Sequence, residues 1–143
     1  MGAHVIDGRG LAAELKGRLA AEVADLIDTG VVPGLATVLV GSPAEAYERR
    51  VRKLAGELGD RYACERLPID AEEAEVIATV GKLKSDPRVS GILVLKPLPD
   101  HVSEAAVYRA LDPLKDIEAV HPVNAGLLAL GRPRYVPSTP AAA

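Results

Sequence analysis

Two side chains that could do acid–base or electrostatic chemistry lie in one stretch of the sequence, Gly91–Leu128. Lys96 comes directly after the apolar run Ile92–Leu95, and His121 lies in a later loop. A histidine is a common general acid or base, and a lysine ammonium can stabilise negative charge on a ligand. Strand alternation decides whether Lys96 points into a crevice or into solvent. Lys96 is therefore a candidate catalytic residue and His121 a candidate for proton transfer, while a solvated lysine and a structural loop histidine are the alternatives.

The apolar run Ile92–Leu95 is the element that must position these residues. It follows Ser90-Gly91 and is bounded by turn residues, which is typical of a short strand buried on both faces. Proline has no N–H to donate to a sheet, so the two prolines that follow end the strand. In open α/β sheets, ligands bind outside the carboxyl ends of the strands. The expected lining of the crevice is Val94, Leu95, Lys96, Pro97, Leu98 and Pro99.

Helical and strand patterns alternate along the rest of the chain. We predict strands at 34–40, 62–67 and 92–95, and helices at 9–29, 44–58, about 70–86, 103–111 and 124–130. The first helix has an apolar stripe of Leu11, Leu15, Leu19, Val23 and Leu26. Asp70-x-x-Glu73 predicts a capping box at the start of the third helix. This alternation predicts an α/β fold of three layers, in which a small, mostly parallel sheet has helices on both faces.

Composition excludes several classes of function. The 143 residues carry a net charge of −3, with no Phe or Trp, so neither nucleic acid nor an anionic membrane is an expected partner. Cys64 is the single cysteine, which favours a reducing cytoplasm. No run of residues is apolar enough to span a membrane, and no His, Cys and carboxylate cluster has metal-ligand spacing. We therefore expect a cytoplasmic protein with no bound metal.

Four phrases of the sequence resemble the bifunctional methylenetetrahydrofolate dehydrogenase/cyclohydrolase family. Active members carry G-I-L-V-Q-L-P-L-P, matched here by Gly91–Pro99, and P-x-K-D-V-D-G-x-H-P-x-N-x-G, matched by Asp112–Gly126. The family phrases P-G-L-A-x-x-L-V-G and I-D-G match Pro33–Gly41 and Ile6–Gly8. The resemblance covers essentially the whole chain but only the first half of a family protein. It implies a folate-binding domain.

The resemblance also implies roles for individual residues. Active members place a Tyr and a Lys four residues apart on one helix facing the folate, a Gln that positions the Lys, and an Asp that binds the pterin. Tyr47 matches the Tyr, whereas the Lys, Gln and Asp positions fall on Val51, Leu95 and Glu118. Val51 cannot transfer a proton. Tyr47 either stacks on the folate or is a half-buried tyrosine in the apolar stripe Tyr47-Val51-Leu54-Leu58.

The implied substrate-binding set combines the crevice lining with the matched positions. It comprises Tyr47, Val51, Val94, Leu95, Lys96, Pro97, Leu98, Pro99, Glu118, His121 and Pro122, with Tyr47 and Lys96 as the catalytic candidates. The basic run on the second helix is either a solvated face of ion pairs, such as Glu48 with Arg52, or a site for phosphate or polyglutamate.

Three functional hypotheses follow. The first is a stand-alone domain that binds 5,10-methylene- or 5,10-methenyltetrahydrofolate and has lost the cyclohydrolase lysine. The second is an enzyme with altered one-carbon chemistry, either methylene transfer to another amine or hydrolysis using Lys96. The third is a non-catalytic interaction subunit, as a homodimer or with a separately encoded partner protein.

Domain boundaries and cofactors follow from the same resemblance. We expect residues 1–136 to form the folate-binding domain and residues 137–143 to be a tail left from a linker to an absent nucleotide domain. Gly41-Ser42-Pro43 lacks the glycines of a dinucleotide-binding turn. NAD(P) is therefore not an expected cofactor, and dehydrogenase activity by this chain alone is not expected.

Overall fold

The computed structural model describes residues 7–141. Ile6 of the I-D-G phrase and residues 142–143 of the predicted tail lie outside this range. The elements, in chain order, are α1 (Gly8–Asp28), β1 (Gly34–Val40), α2 (Glu45–Leu58), β2 (Arg61–Leu67), α3 (Glu73–Ser85), β3 (Gly91–Val94), α4 (Glu104–Ala110), α5 (Pro122–Ala129) and α6 (Ser138–Ala141). None of the helices in the described part of the chain combines the length and apolar character needed to cross a membrane.

The three strands form one sheet in the order β2-β1-β3, and both pairs of neighbours run parallel. β1 lies in the middle, which explains why nearly all of its side chains are buried. Beyond β3, a single parallel bridge joins Ile92 to Asp116 and adds the segment after α4 to the edge of the sheet. The predicted parallel sheet is confirmed.

Apolar side chains pack on both faces of this sheet. On one face, Val38 and Val94 belong to a cluster that includes Val76 and Val80 of α3 and Val107 of α4. On the other face, Leu39 and Leu95 pack with Leu93, Ala44 and the first half of α2. Alternating strand residues supply the two clusters, as the period of two along a strand requires. The predicted arrangement of three layers, with helices on both faces, is therefore confirmed.

The predicted apolar stripe of α1 is mostly exposed. The helix itself forms as expected, and Asp7 caps it by accepting a hydrogen bond from the backbone N–H of Gly10 at 2.9 Å. Of its leucines, Leu11, Leu15 and Leu19 expose 53%, 43% and 43% of their surface, and Val23 is the buried residue of the helix. The spacing predicted a helix correctly, but most of the apolar face remains exposed within the described residues.

The buried face of α2 departs from the predicted one at Tyr47, whereas Val51, Leu54 and Leu58 of the predicted stripe are half-buried. Glu48 and Ala55 are its buried residues, whereas Tyr47 is 53% exposed and Val51 is half-buried. The half-buried tyrosine expected at 47 is therefore wrong. The end of α2 is as predicted, because Gly59 adopts a φ of 84°, which favours glycine.

The capping box predicted for the third helix does not form. Glu72 occupies the N-cap of α3 and makes no side-chain cap bond. The carboxylate of Glu73 instead accepts a hydrogen bond from the backbone N–H of Ser103 at 2.8 Å, just before α4. Glu73 thus ties α3 to the start of α4.

Candidate functional site

The carboxyl end of β3 forms the expected turn. Val94 and Leu95 are buried, and the backbone N–H of Leu95 donates to the carbonyl of Val38 at 2.9 Å. The peptide bond between Lys96 and Pro97 is cis, and Leu98 then returns into the core. The side chains of Leu95 and Leu98 therefore belong to the core, and Lys96 and Pro97 are the exposed residues between them.

An apolar cluster occupies the positions where the resemblance expects a Lys and a Gln. Leu95, only 2% exposed, packs with Leu39, Ala44 and Leu93, and Val51 of α2 packs against the same cluster. The helix spacing of four residues places Tyr47 one turn before Val51. The geometry therefore brings Val51 and Leu95 to one cluster, with the exposed Tyr47 one helical turn away.

Glu118 lies in the segment that runs beside the end of β3. It follows Asp116, which bridges to β3, by two residues, and its side chain is half-buried. Burial raises the pKa of the Glu118 carboxyl, and the positive charge of Lys96 opposes that effect. Ala119, the next residue, has a φ of 57°, a left-handed conformation that L-residues other than glycine rarely adopt. The backbone that presents Glu118 is thus held in a strained turn.

A buried polar network supports this turn, and sequence reasoning missed it. The fully buried Asp116 carboxylate accepts hydrogen bonds from the backbone N–H groups of Val120 and His121, at 3.2 and 2.8 Å. It also accepts from the side-chain amide of Asn124 at 2.8 Å, and that amide donates as well to the Pro113 carbonyl. Asp116 and Asn124 therefore fix the loop that carries Glu118.

His121 is the N-cap of α5. Its Nδ1 accepts a hydrogen bond from the backbone N–H of Val123 at 3.1 Å, and Pro122 occupies the first turn of the helix. Proline is favoured there because its missing N–H has no intrahelical partner in any case. This geometry gives His121 a structural task in the loop and explains why α5 begins earlier than the predicted 124.

Lys96 is directed toward α4. Its Nζ lies 3.2 Å from a carboxylate oxygen of Glu104 and 4.9 Å from the centre of the Tyr108 ring. A hydrogen bond with Tyr108 is the main cause that raises the pKa of Lys96, and Glu104 acts in the same direction against partial burial. Lys96 is therefore a stably protonated group. Within residues 7–141, no hydrogen bond joins a lysine to the Tyr47 hydroxyl.

Glu48 was expected on a solvated face, and that expectation is wrong. Its side chain is fully buried and accepts hydrogen bonds from Arg52, Arg66 and Tyr62 at 2.7–3.0 Å. The pair with Arg52 forms as predicted. Burial alone would raise the pKa of Glu48, but the bonds from Tyr62 and Arg52 and the nearby arginine charges outweigh it, so the pKa is lowered. Glu48 anchors α2, and with it Tyr47, to β2.

Lys115 is a further residue that the sequence did not single out. Its ammonium donates to the carbonyls of Lys84 and Asp86, both at 2.8 Å, at the end of α3. A positive charge near the last carbonyls of a helix is favourable. Lys115 therefore fixes the segment that begins the Asp116 loop.

Two cavities lie at the end of the sheet where the strands begin, away from the carboxyl ends of the strands. One of about 230 Å³ is lined by Arg61, Tyr62 and Arg88, and another of about 370 Å³ by Asp60, Ser90 and Tyr135. Both share Gly34 and Leu35 at the start of β1. Neither includes a predicted site residue. Within the described part of the chain, no three potential metal ligands come together.

Comparisons with known proteins agree with this geometry. A family model described as tetrahydrofolate dehydrogenase/cyclohydrolase, catalytic domain, matches residues 6–118. The bifunctional protein FolD 3 of Rubrobacter xylanophilus is 75% identical over 144 residues, which cover 99% of this chain and 45% of that protein. The bifunctional protein FolD of Rhodopseudomonas palustris is 49% identical over 143 residues, which cover 98% of this chain and 48% of that protein.

Solved structures show the same similarity. The Trypanosoma brucei N5,N10-methylenetetrahydrofolate dehydrogenase-cyclohydrolase, complexed with NADP cofactor and inhibitor, superposes with a TM-score of 0.93 at 34% identity, over 99% of this chain and 50% of that one. The bifunctional enzyme of Campylobacter jejuni has a TM-score of 0.91 at 33% identity, over 94% and 49%. The chain thus spans about half the length of these relatives. Because the family model matches most of its residues, the chain belongs to the tetrahydrofolate dehydrogenase/cyclohydrolase family, as its catalytic domain.

Proposed function

We propose that this domain binds a one-carbon tetrahydrofolate, 5,10-methylene- or 5,10-methenyltetrahydrofolate, and lacks the lysine-dependent cyclohydrolase step. The observation that carries the proposal is the apolar cluster in which Val51 and Leu95 pack together. The resemblance assigns these two positions to the Lys and Gln of active relatives. An apolar contact there neither moves a proton nor holds an ammonium.

We propose that Tyr47, Glu118 and the turn after β3 bind the folate. The exposed ring of Tyr47 provides a stacking surface. The Glu118 carboxylate suits the donor edge of the amino-pyrimidine ring, because a carboxylate accepts two parallel N–H bonds. Leu95, Pro97 and Pro99 provide the apolar wall, and Val94 and Leu98 pack in the core behind it. His121 and Pro122 contribute by shaping the loop behind Glu118.

Hydrolysis using Lys96 is a weaker alternative. A general base must be available in its neutral form, but Tyr108 and Glu104 hold the Lys96 ammonium protonated. We propose that Lys96 acts as a fixed positive charge, and that Tyr47 stacks on the ligand instead of transferring a proton.

Hydride transfer would need a nicotinamide cofactor. Gly41-Ser42-Pro43 does not form a glycine-rich phosphate turn, so we propose that residues 1–143 do not bind NAD(P) by themselves. A cytoplasmic location and an absence of bound metal remain predictions. So do residues 137–143 as a linker-derived tail.

Two titrations and one rate measurement test the proposal. Calorimetric titration with folic acid and with 5,10-methylenetetrahydrofolate is expected to show saturable binding that Glu118→Ala weakens. Hydrolysis of 5,10-methenyltetrahydrofolate, followed by loss of its absorbance, is expected at the uncatalysed rate. No saturable binding at millimolar ligand would exclude the folate site, and a rate well above background would contradict the loss of cyclohydrolase chemistry.

A homodimer or a separately encoded partner also remains a prediction. The exposed leucines of α1 are the apolar surface on which it would be tested. Sedimentation of the wild-type chain and of Leu15→Glu would show whether this face takes part in assembly, and a strict monomer at high concentration would argue against it.

A further inference from the structure

Two charged residues of opposite sign, Lys96 and Glu118, lie on neighbouring segments near the carboxyl end of β3. The parallel bridge between Ile92 and Asp116 holds the segment that leads to Glu118 alongside β3. Lys96 follows the carboxyl end of the same strand. Burial raises the pKa of Glu118, and the positive charge of Lys96 opposes that rise, so the two groups interact electrostatically. A ligand that contacts Glu118 therefore also lies near an ammonium group.

The Lys96 ammonium is held loosely enough to serve a ligand. Its ion pair with Glu104 measures 3.2 Å, and the two side chains are 47% and 46% exposed. Ion pairs this exposed contribute little to stability, because water competes with them. The Tyr108 ring under the ammonium keeps it near α4 when the carboxylate is exchanged for another acceptor.

The folate ring offers such an acceptor. The amino-pyrimidine half of a pterin carries, side by side, a 2-amino group, a ring N–H and a 4-oxo oxygen. A carboxylate at Glu118 accepts from the first two, and this leaves the neighbouring oxygen without a donor. An ammonium donates to a carbonyl oxygen but not to an amino group.

We propose that Lys96 is a specificity-determining residue that donates a hydrogen bond to the 4-oxo oxygen of the pterin bound at Glu118. This inference rests on the proposed folate function and adds to it a preference between two classes of pteridine ring. The site selects 2-amino-4-oxo rings over 2,4-diamino rings, because a 4-amino group would point its N–H toward the ammonium.

Folic acid and aminopterin provide the test, since aminopterin has an amino group where folic acid has the 4-oxo oxygen. Dissociation constants for both ligands would be measured by calorimetry at neutral pH, where both pteridine rings are uncharged. The comparison uses wild type, Lys96→Met and Lys96→Arg. Hydrogen bonds to charged groups predict that Lys96→Met lowers the preference for folic acid, the ratio of the two constants, by about tenfold or more. Lys96→Arg keeps the charge and most of the preference.

Two control variants separate this effect from a general loss of charge. Lys82→Met removes an exposed lysine on α3 and is expected to leave the ratio unchanged. Glu104→Gln removes the carboxylate that competes for the Lys96 ammonium, and we expect it to retain the full ratio of the two dissociation constants. If Lys96→Met weakens both ligands equally, or neither, the assignment of Lys96 to the 4-oxo oxygen is wrong. If wild type binds neither ligand, the folate function itself fails, and this inference fails with it.

Discussion

Restoring the polar pair of active relatives provides a demanding test of the cluster between α2 and β3. Leu95 is 2% exposed, so Leu95→Gln removes apolar contacts and buries an amide, and we expect a loss of about 2–4 kcal/mol in the free energy of unfolding. Val51 is half-buried, so Val51→Lys has a partial route to water and should cost about 1–2 kcal/mol.

The double variant should lose less than the sum of the two single variants. Since Val51 and Leu95 pack against one cluster, an ammonium at 51 can donate to an amide oxygen at 95. A hydrogen bond with one charged partner contributes about 1.5–3 kcal/mol. We therefore predict a coupling free energy of that size, well above the few tenths expected for independent sites.

Urea denaturation followed by far-UV circular dichroism would measure all four proteins. The matched control replaces Val51→Lys by Val51→Met, which has similar length but no charge, and its coupling to Leu95→Gln should stay below about 0.5 kcal/mol. The double variant alone should also gain hydrolysis of 5,10-methenyltetrahydrofolate. Strict additivity of Val51→Lys and Leu95→Gln would refute the claim that these side chains face each other.

Three further predictions concern groups that hold the site. Glu48→Gln should cost about 3–5 kcal/mol, because it breaks a buried ion-pair network. The pKa of Glu48 in the folded protein lies below its ordinary 4.5, so the stability that the ionised Glu48 contributes is present above pH 4.5 and is lost as the pH falls below it. Glu48→Gln should therefore flatten the acid side of a plot of unfolding free energy against pH. An unchanged acid side would contradict the buried network. Lys115→Met should lower the free energy of unfolding, measured by urea denaturation, by about 1.5–3 kcal/mol, because it removes the hydrogen bonds to the end of α3. The control Lys82→Met should change it by no more than about 0.5 kcal/mol. Equal effects would mean that the Lys115 hydrogen bonds contribute nothing. Glu118→Gln should increase the free energy of unfolding at neutral pH, because an ionised carboxylate whose pKa is raised in the folded state opposes folding. The variant should also remove the loss of folate affinity on acidification. A loss of stability at neutral pH would show that Glu118 is not desolvated.

The order and type of the main elements could be predicted because local signals agree with the fold. The apolar runs of β1 and β3 are short and bounded by glycine or proline, and both sit in a parallel sheet covered on both faces. Gly59 marks the end of α2 for a reason that is local to its own φ angle. Features of this kind depend on a few neighbouring residues, so the sequence alone suffices.

Burial of individual charges could not be predicted in the same way. Glu48 has the spacing of a surface ion pair with Arg52, and only the approach of Tyr62 and Arg66 from β2 makes it a core residue. The leucines of α1 show the opposite error, because helical spacing indicates an apolar face but not whether anything packs on it.

The supports of the candidate site were missed for a related reason. Asp116 and Lys115 look like ordinary loop charges in the sequence, and their partners lie on α5 and α3. One signal was available, since both residues belong to the loop phrase shared with active relatives. Reading that phrase for buried hydrogen bonds as well as for ligand contacts would have identified them.

A crystal structure of the protein soaked with folic acid tests the central claim most directly. We expect the pterin ring beside Tyr47 and Leu95, with its amino-pyrimidine side on the Glu118 carboxylate. A pterin ring bound instead where the strands begin, in the cavity lined by Arg61 and Arg88, would contradict the proposed folate site.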